Sequence, residues 1–95
     1  MTIAEFQKLI ADTYLERDSK RGLGGTFMWF IEEVGELSTA LLEGDKEAMA
    51  GEFADVFAWL SSLASIAGIE MAEVIEKYAD GCPACHCKPC CCSQK

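Results

Sequence analysis

Cysteine is missing from Met1 to Gly81, and the chain has one histidine, His86. All six cysteines crowd between Cys82 and Cys92, so none staples distant parts of the chain and a disulfide framework is excluded. Without a histidine outside that stretch, the Glu-x-x-His pairs of a di-iron carboxylate bundle cannot be built. Basic residues are scarce: eight stand against sixteen acids, for a formal charge of -8. A surface that acidic repels nucleic-acid phosphates, although it can still take a polyphosphate through intervening metal ions. Long apolar runs are absent as well. The longest uncharged stretch, Val56 to Ile69, includes Ser61, Ser62, Ser65 and Gly68 and is too short for a bilayer. The N-terminus has early acids and no basic start followed by an apolar block, so no secretory leader is expected and the expected location is cytoplasmic, without a membrane partner.

What is present suits one small soluble domain. Hydrophobic residues make up 51% of the chain, enough for a single modest core. A chain of this size buries only roughly 60% of its unfolded surface, so a partner chain or a metal would add needed stability.

The periodicity is helical throughout, with no sustained apolar-polar alternation that would mark a strand. Thr2 and Glu5 have the spacing of a capping box. Ile3, Phe6, Leu9, Ile10, Thr13 and Tyr14 then form one stripe, predicting a helix to about Asp18. Ser19 to Gly25 holds three glycines and two bases and is predicted to be a flexible loop. Thr26 is the expected N-cap of a second helix ending before Gly44. Asp45 caps a third, Lys46 to Ala67, with a break or kink expected near Gly51. Glu70 to Ala79 predicts a short fourth helix, closed by Gly81. The expected fold is all-α: a small four-helix bundle over residues 1–80, followed by a cysteine-rich tail over 81–95. Ala58, Leu60, Ser61, Leu63, Ala64 and Ile66 leave the third helix apolar or small on most sides. A homodimer or homotetramer is expected to cover it.

The second and third helices each carry a pair of carboxylates. Glu33 and Glu36 are three apart, as are Glu52 and Asp55, and residues three apart share a helix face. Such pairs are common on solvated surfaces. Here Glu33 lies among Phe30, Ile31, Val34 and Leu37, and Asp55 among Phe53, Val56 and Phe57, which is unlike a simple solvated face. Four carboxylates meeting inside a bundle would raise one another's pKa and destabilise it. A hard divalent cation removes the conflict, Mg²⁺ first and Mn²⁺ second.

Glu32-Glu33-x-x-Glu36, followed on the next helix by Glu52-x-x-Asp55, resembles the EExxE…ExxD signature of the MazG-like all-α nucleoside triphosphate pyrophosphohydrolases. The resemblance is close over Thr26 to Trp59 and looser from Thr2 to Asp80. It implies hydrolysis of a nucleoside triphosphate, or a related nucleotide, to the monophosphate and pyrophosphate. It further implies Mg²⁺ held by Glu33, Glu36, Glu52 and Asp55, with Glu32 positioning or deprotonating water or standing in the outer shell. Lys20, Arg21 and Lys77 are candidates for neutralising phosphate charge, against the simpler reading of surface solubility. Trp29 and Trp59 lie one helical turn from the acids and are candidates for stacking on a base, against plain core packing.

In the tail, Cys82-x-x-Cys85 is the usual half of a zinc knuckle, and Cys90 with Cys92 can close the other half. Cys87, Cys91 and His86 are surplus, so other ligand sets stay open, as do an iron–sulfur cluster and an unliganded tail. Two functions therefore compete. One is a Mg²⁺-dependent nucleotide pyrophosphohydrolase. The other is a metal-binding or redox module whose tail is the functional part and whose helices are a scaffold. The second gives no account of the paired acids on apolar helices.

Overall fold

The computed structural model describes residues 1–93, and the last two residues of the cysteine tail, Gln94 and Lys95, lie outside them. Helix α1 spans Ile3–Glu43, α2 Lys46–Ile66 and α3 Met71–Val74, the last running into a 3-10 turn at Ile75–Tyr78. No strand occurs among the described residues. No single helix among them is long and apolar enough to cross a membrane.

The expected capping box is made: Thr2 N–H donates to Glu5 Oε1 at 2.7 Å, and Glu5 N–H to Thr2 Oγ1 at 3.0 Å. At the other end of α1, Gly44 takes the left-handed conformation (φ 78°) and its N–H closes on Ala40 O. Asp45 Oδ1 then accepts from Glu47 N–H at 3.0 Å and starts α2.

Several local expectations are corrected. The stretch from Ser19 to Gly25 is helical rather than a loop, and only Gly22 leaves helical geometry, at φ 87° and ψ 169°. That region of backbone space is open to glycine almost alone, so the chain kinks there and resumes. The two limbs, 3–21 and 23–43, are tied across the kink. Thr26 is not an N-cap but lies inside the second limb, wholly buried, with Oγ1 donating to Asp18 O at 3.4 Å. Helix α2 passes through Gly51 without a break, because the flanking turns keep their hydrogen bonds and packing on α1 offsets the roughly 1 kcal/mol glycine penalty. The fourth helical segment is one α turn followed by a 3-10 turn rather than a single helix.

The first limb is held to the far end of α2 by one buried amide. Gln7, only 4% exposed, donates from Nε2 to Ser65 Oγ at 3.1 Å and Ile69 O at 2.9 Å, and its Oε1 accepts from Met71 N–H at 2.8 Å. Phe6 stacks on Phe57 nearby, with ring centroids 5.2 Å apart. Apolar burial is thin by comparison. Among the described residues Ala40 is the buried hydrophobic one, while Leu42, Met28, Phe53 and Leu23 are each more than half exposed.

Candidate active site

The hairpin of the second limb of α1 and α2 faces Glu33 and Glu36 toward Glu52. One carboxylate oxygen from each of the three lies within 4.8 Å of the others. Oε2 of Glu33 and Oε2 of Glu52 are buried and have no hydrogen-bond partner. Burial, then the adjacent Glu36, then Asp55 and Glu52, push the Glu33 carboxyl up to about 7. Burial, followed by the charges of Glu36 and Asp55, raises Glu52 too. Two orphaned oxygens in an all-oxygen donor set fit a hard divalent cation, which supplies the positive charge the protein withholds.

Asp55 is near enough for its charge to act on Glu33 and Glu52 but is not one of the trio. It lines an adjoining cavity of about 360 Å³ together with Ile10, Tyr14, Arg17, Asp18, Arg21, Trp29, Ala58, Trp59 and Ser62. Trp29 and Trp59 stack there with centroids 6.1 Å apart and planes 13° from parallel. The Arg21 guanidinium carbon lies 5.9 Å from the Trp29 ring centroid and 5.3 Å from that of Trp59. Its Nη1 donates to Asp18 Oδ1 at 3.0 Å, so a buried acid fixes its direction. Gly25 makes room for this arrangement, since a Cβ there would meet Arg21 Cγ at 2.6 Å.

Of the residues singled out in the sequence, Glu33, Glu36 and Glu52 converge, and Asp55, Trp29, Trp59 and Arg21 meet at the cavity beside them. Glu32 is exposed and outside the carboxylate trio. Lys20 is also exposed and lies 3.7 Å from Glu16. Lys77 sits 5.8 Å from the Tyr78 ring centroid, and neither lysine lines the cavity. Tyr14, Arg17 and Asp18 are cavity residues that the sequence reasoning missed. The signal was available: positions 14, 17, 18 and 21 follow the i, i+3, i+4, i+7 rule of a single helical face. Reading 19–25 as a loop cut that face short.

The tail forms a second group of potential ligands. One sulfur from each of Cys82, Cys85, Cys90 and Cys92 lies within 4.8 Å of the others. Backbone N–H groups of Cys91 and Cys87 pull the Cys85 thiol down to about 6.

Comparison with protein families matches residues 24–86 to the family described as the MazG nucleotide pyrophosphohydrolase domain. The matched stretch carries both acidic helices and the first tail cysteines, while Tyr14, Arg17, Asp18 and Arg21 come from the limb before it. A search of curated proteins found no significant match.

Proposed function

This chain belongs to the MazG nucleotide pyrophosphohydrolase family, and from that premise we propose that it cleaves a nucleoside triphosphate, or a related nucleotide, into the monophosphate and pyrophosphate with Mg²⁺ or Mn²⁺. The observation that carries the reading is the meeting of Glu33, Glu36 and Glu52 from two helices, with two buried, unpartnered carboxylate oxygens, beside a cavity walled by indoles and a guanidinium. A scaffold for the cysteine tail would need none of these.

Glu33, Glu36 and Glu52 would hold the ion, with Asp55 reaching it from the cavity side. When bound, such an ion offsets phosphate charge and lowers the pKa of a coordinated water. The protein's own part is positioning. Trp29 and Trp59 offer flat apolar faces to a base. Arg21, held by Asp18, and Arg17 bring positive charge to a cavity whose other ionic groups are acids, where phosphate oxygens would need it. Glu32 lies on the solvent side and is assigned no part in holding the ion. The outer apolar groove lined by Leu23, Phe27, Leu60, Leu63 and Ile69 is assigned to a second copy of the chain, since the single chain buries so little apolar surface. The expected setting is cytoplasmic.

The deciding experiment incubates the protein with a panel of nucleoside triphosphates and Mg²⁺ and follows both products. Pyrophosphate with monophosphate supports the reading. Orthophosphate release, or no turnover on any nucleotide, overturns it.

A further inference from the structure

The six tail cysteines are sorted by the fold into four and two. Cys87 and Cys91 are bonded to each other as a disulfide. The other four stay unbonded, with Cys82 Sγ 3.7 Å from Cys92 Sγ and Cys85 Sγ 3.8 Å from Cys90 Sγ. These separations are far too long for disulfides, which need about 2.05 Å. They equal the edge of a tetrahedron of sulfurs around one ion, since Zn–S bonds of about 2.3 Å place the sulfurs ~3.8 Å apart. We propose that Cys82, Cys85, Cys90 and Cys92 bind a single tetrahedral Zn²⁺ in a closed structural site, chemically separate from the carboxylate site.

The backbone is arranged for this ligand set. His86 N–H donates to Cys82 O at 2.7 Å and Cys82 N–H to Cys87 O at 3.1 Å, which folds Cys82-Pro83-Ala84-Cys85 into a knuckle. His86 takes a left-handed φ of 62° just after the second ligand, turning the chain back. Gly81 enters the knuckle at φ 96°, where a Cβ would sit 2.9 Å from Cys87 O, so the entry position requires glycine. Two amides point at ligand sulfurs, Cys91 N–H to Cys85 Sγ and Cys92 N–H to Cys90 Sγ, each at 3.4 Å. N–H···S contacts of this kind offset the negative charge that four thiolates bring to a divalent ion.

The donor chemistry and spacing choose the ion. Thiolates select soft or borderline metals over Mg²⁺. An iron–sulfur cluster would carry its own sulfides between the irons and hold the cysteine sulfurs farther apart than one ion does. A second grouping, Cys85 with Cys87 and Cys91, offers three sulfurs and so cannot close a tetrahedron of protein ligands as the four-sulfur group does. With four protein ligands no position is left for water or substrate, which makes the site structural. Loading displaces the remaining thiol protons to solvent and changes no oxidation state.

The test is metal analysis of the full chain, purified with a reductant that does not bind metals and then supplied with Zn²⁺. The expected result is one Zn²⁺ per chain. It falls below a tenth of that in Cys82→Ser and Cys90→Ser, and stays near one in the double variant Cys87→Ser, Cys91→Ser. Replacement by Co²⁺ should give the intense ligand-field absorption of a tetrahedral thiolate site. Zinc retained in Cys90→Ser, zinc lost in the Cys87/Cys91 double variant, no zinc at all, or iron bound in its place would each overturn the assignment. Because the readout is stoichiometry and spectrum, it succeeds or fails independently of nucleotide turnover.

Discussion

Trp29 and Trp59, on different helices, stack with their centroids 6.1 Å apart in the wall of the cavity. Arg21 lies over both rings. In the proposed function this flat apolar surface would take the base, and the arginines beside it and an ion on the neighbouring acids would take the phosphates. Truncating Trp59 to Ala removes half of the stacking surface and none of the carboxylates. Base stacking is worth about 1–3 kcal/mol, so KM for the nucleotide should rise roughly tenfold or more, with a smaller change in kcat. Steady-state kinetics on the preferred nucleotide checks this split.

Glu36 and Asp55 are the positions at which the proposed function can be tested apart from the fold. Either residue replaced by Ala should cut turnover more than about hundredfold, exceeding the 10- to 100-fold typical of losing an outer-shell partner. The helical circular dichroism should be unchanged. In metal-free buffer the melting temperature should hold or rise, because one source of repulsion on Glu33 is gone. Loss of helix content in either variant would make that residue structural.

Gln7 is a structural residue far along α1 from the acids. Its three hydrogen bonds satisfy Ile69 O and Met71 N–H and engage Ser65. Gln7→Leu keeps much of the volume and leaves backbone groups unpaired, which costs about 2–3 kcal/mol in total. Urea unfolding should show that loss, and the m-value should stay the same.

Gly22 forms the kink directly after Arg21. At φ 87° and ψ 169° any other residue is strained, although there is open space for a Cβ. Gly22→Ala should therefore destabilise by about 1–3 kcal/mol through backbone strain alone. As the kink relaxes, Arg21 should leave the indoles and KM should rise. Denaturation and kinetics measured together distinguish this from a silent surface change.

Much of the protein is legible in its sequence because much of it is local. The Thr2/Glu5 box, the Gly44 stop and the Asp45 cap depend on residues within one helical turn, and all three form as their spacing predicts. The pairing of Glu33 with Glu36 is likewise a matter of helix geometry, and the closeness of Cys82 and Cys85 is a matter of one local turn. What the tertiary structure decided is non-local. That Glu52 reaches Glu33 and Glu36 while Asp55 turns to the cavity depends on how α2 packs across the hairpin, which spacing alone does not set. The glycines of 19–25 have low intrinsic helix propensity, yet the buried Thr26–Asp18 contact and the room Gly25 leaves for Arg21 keep the segment helical on either side of one kink. That kink brings Tyr14, Arg17, Asp18 and Arg21 to the indoles. Propensity counts each residue alone, whereas packing rewards the whole helical face at once.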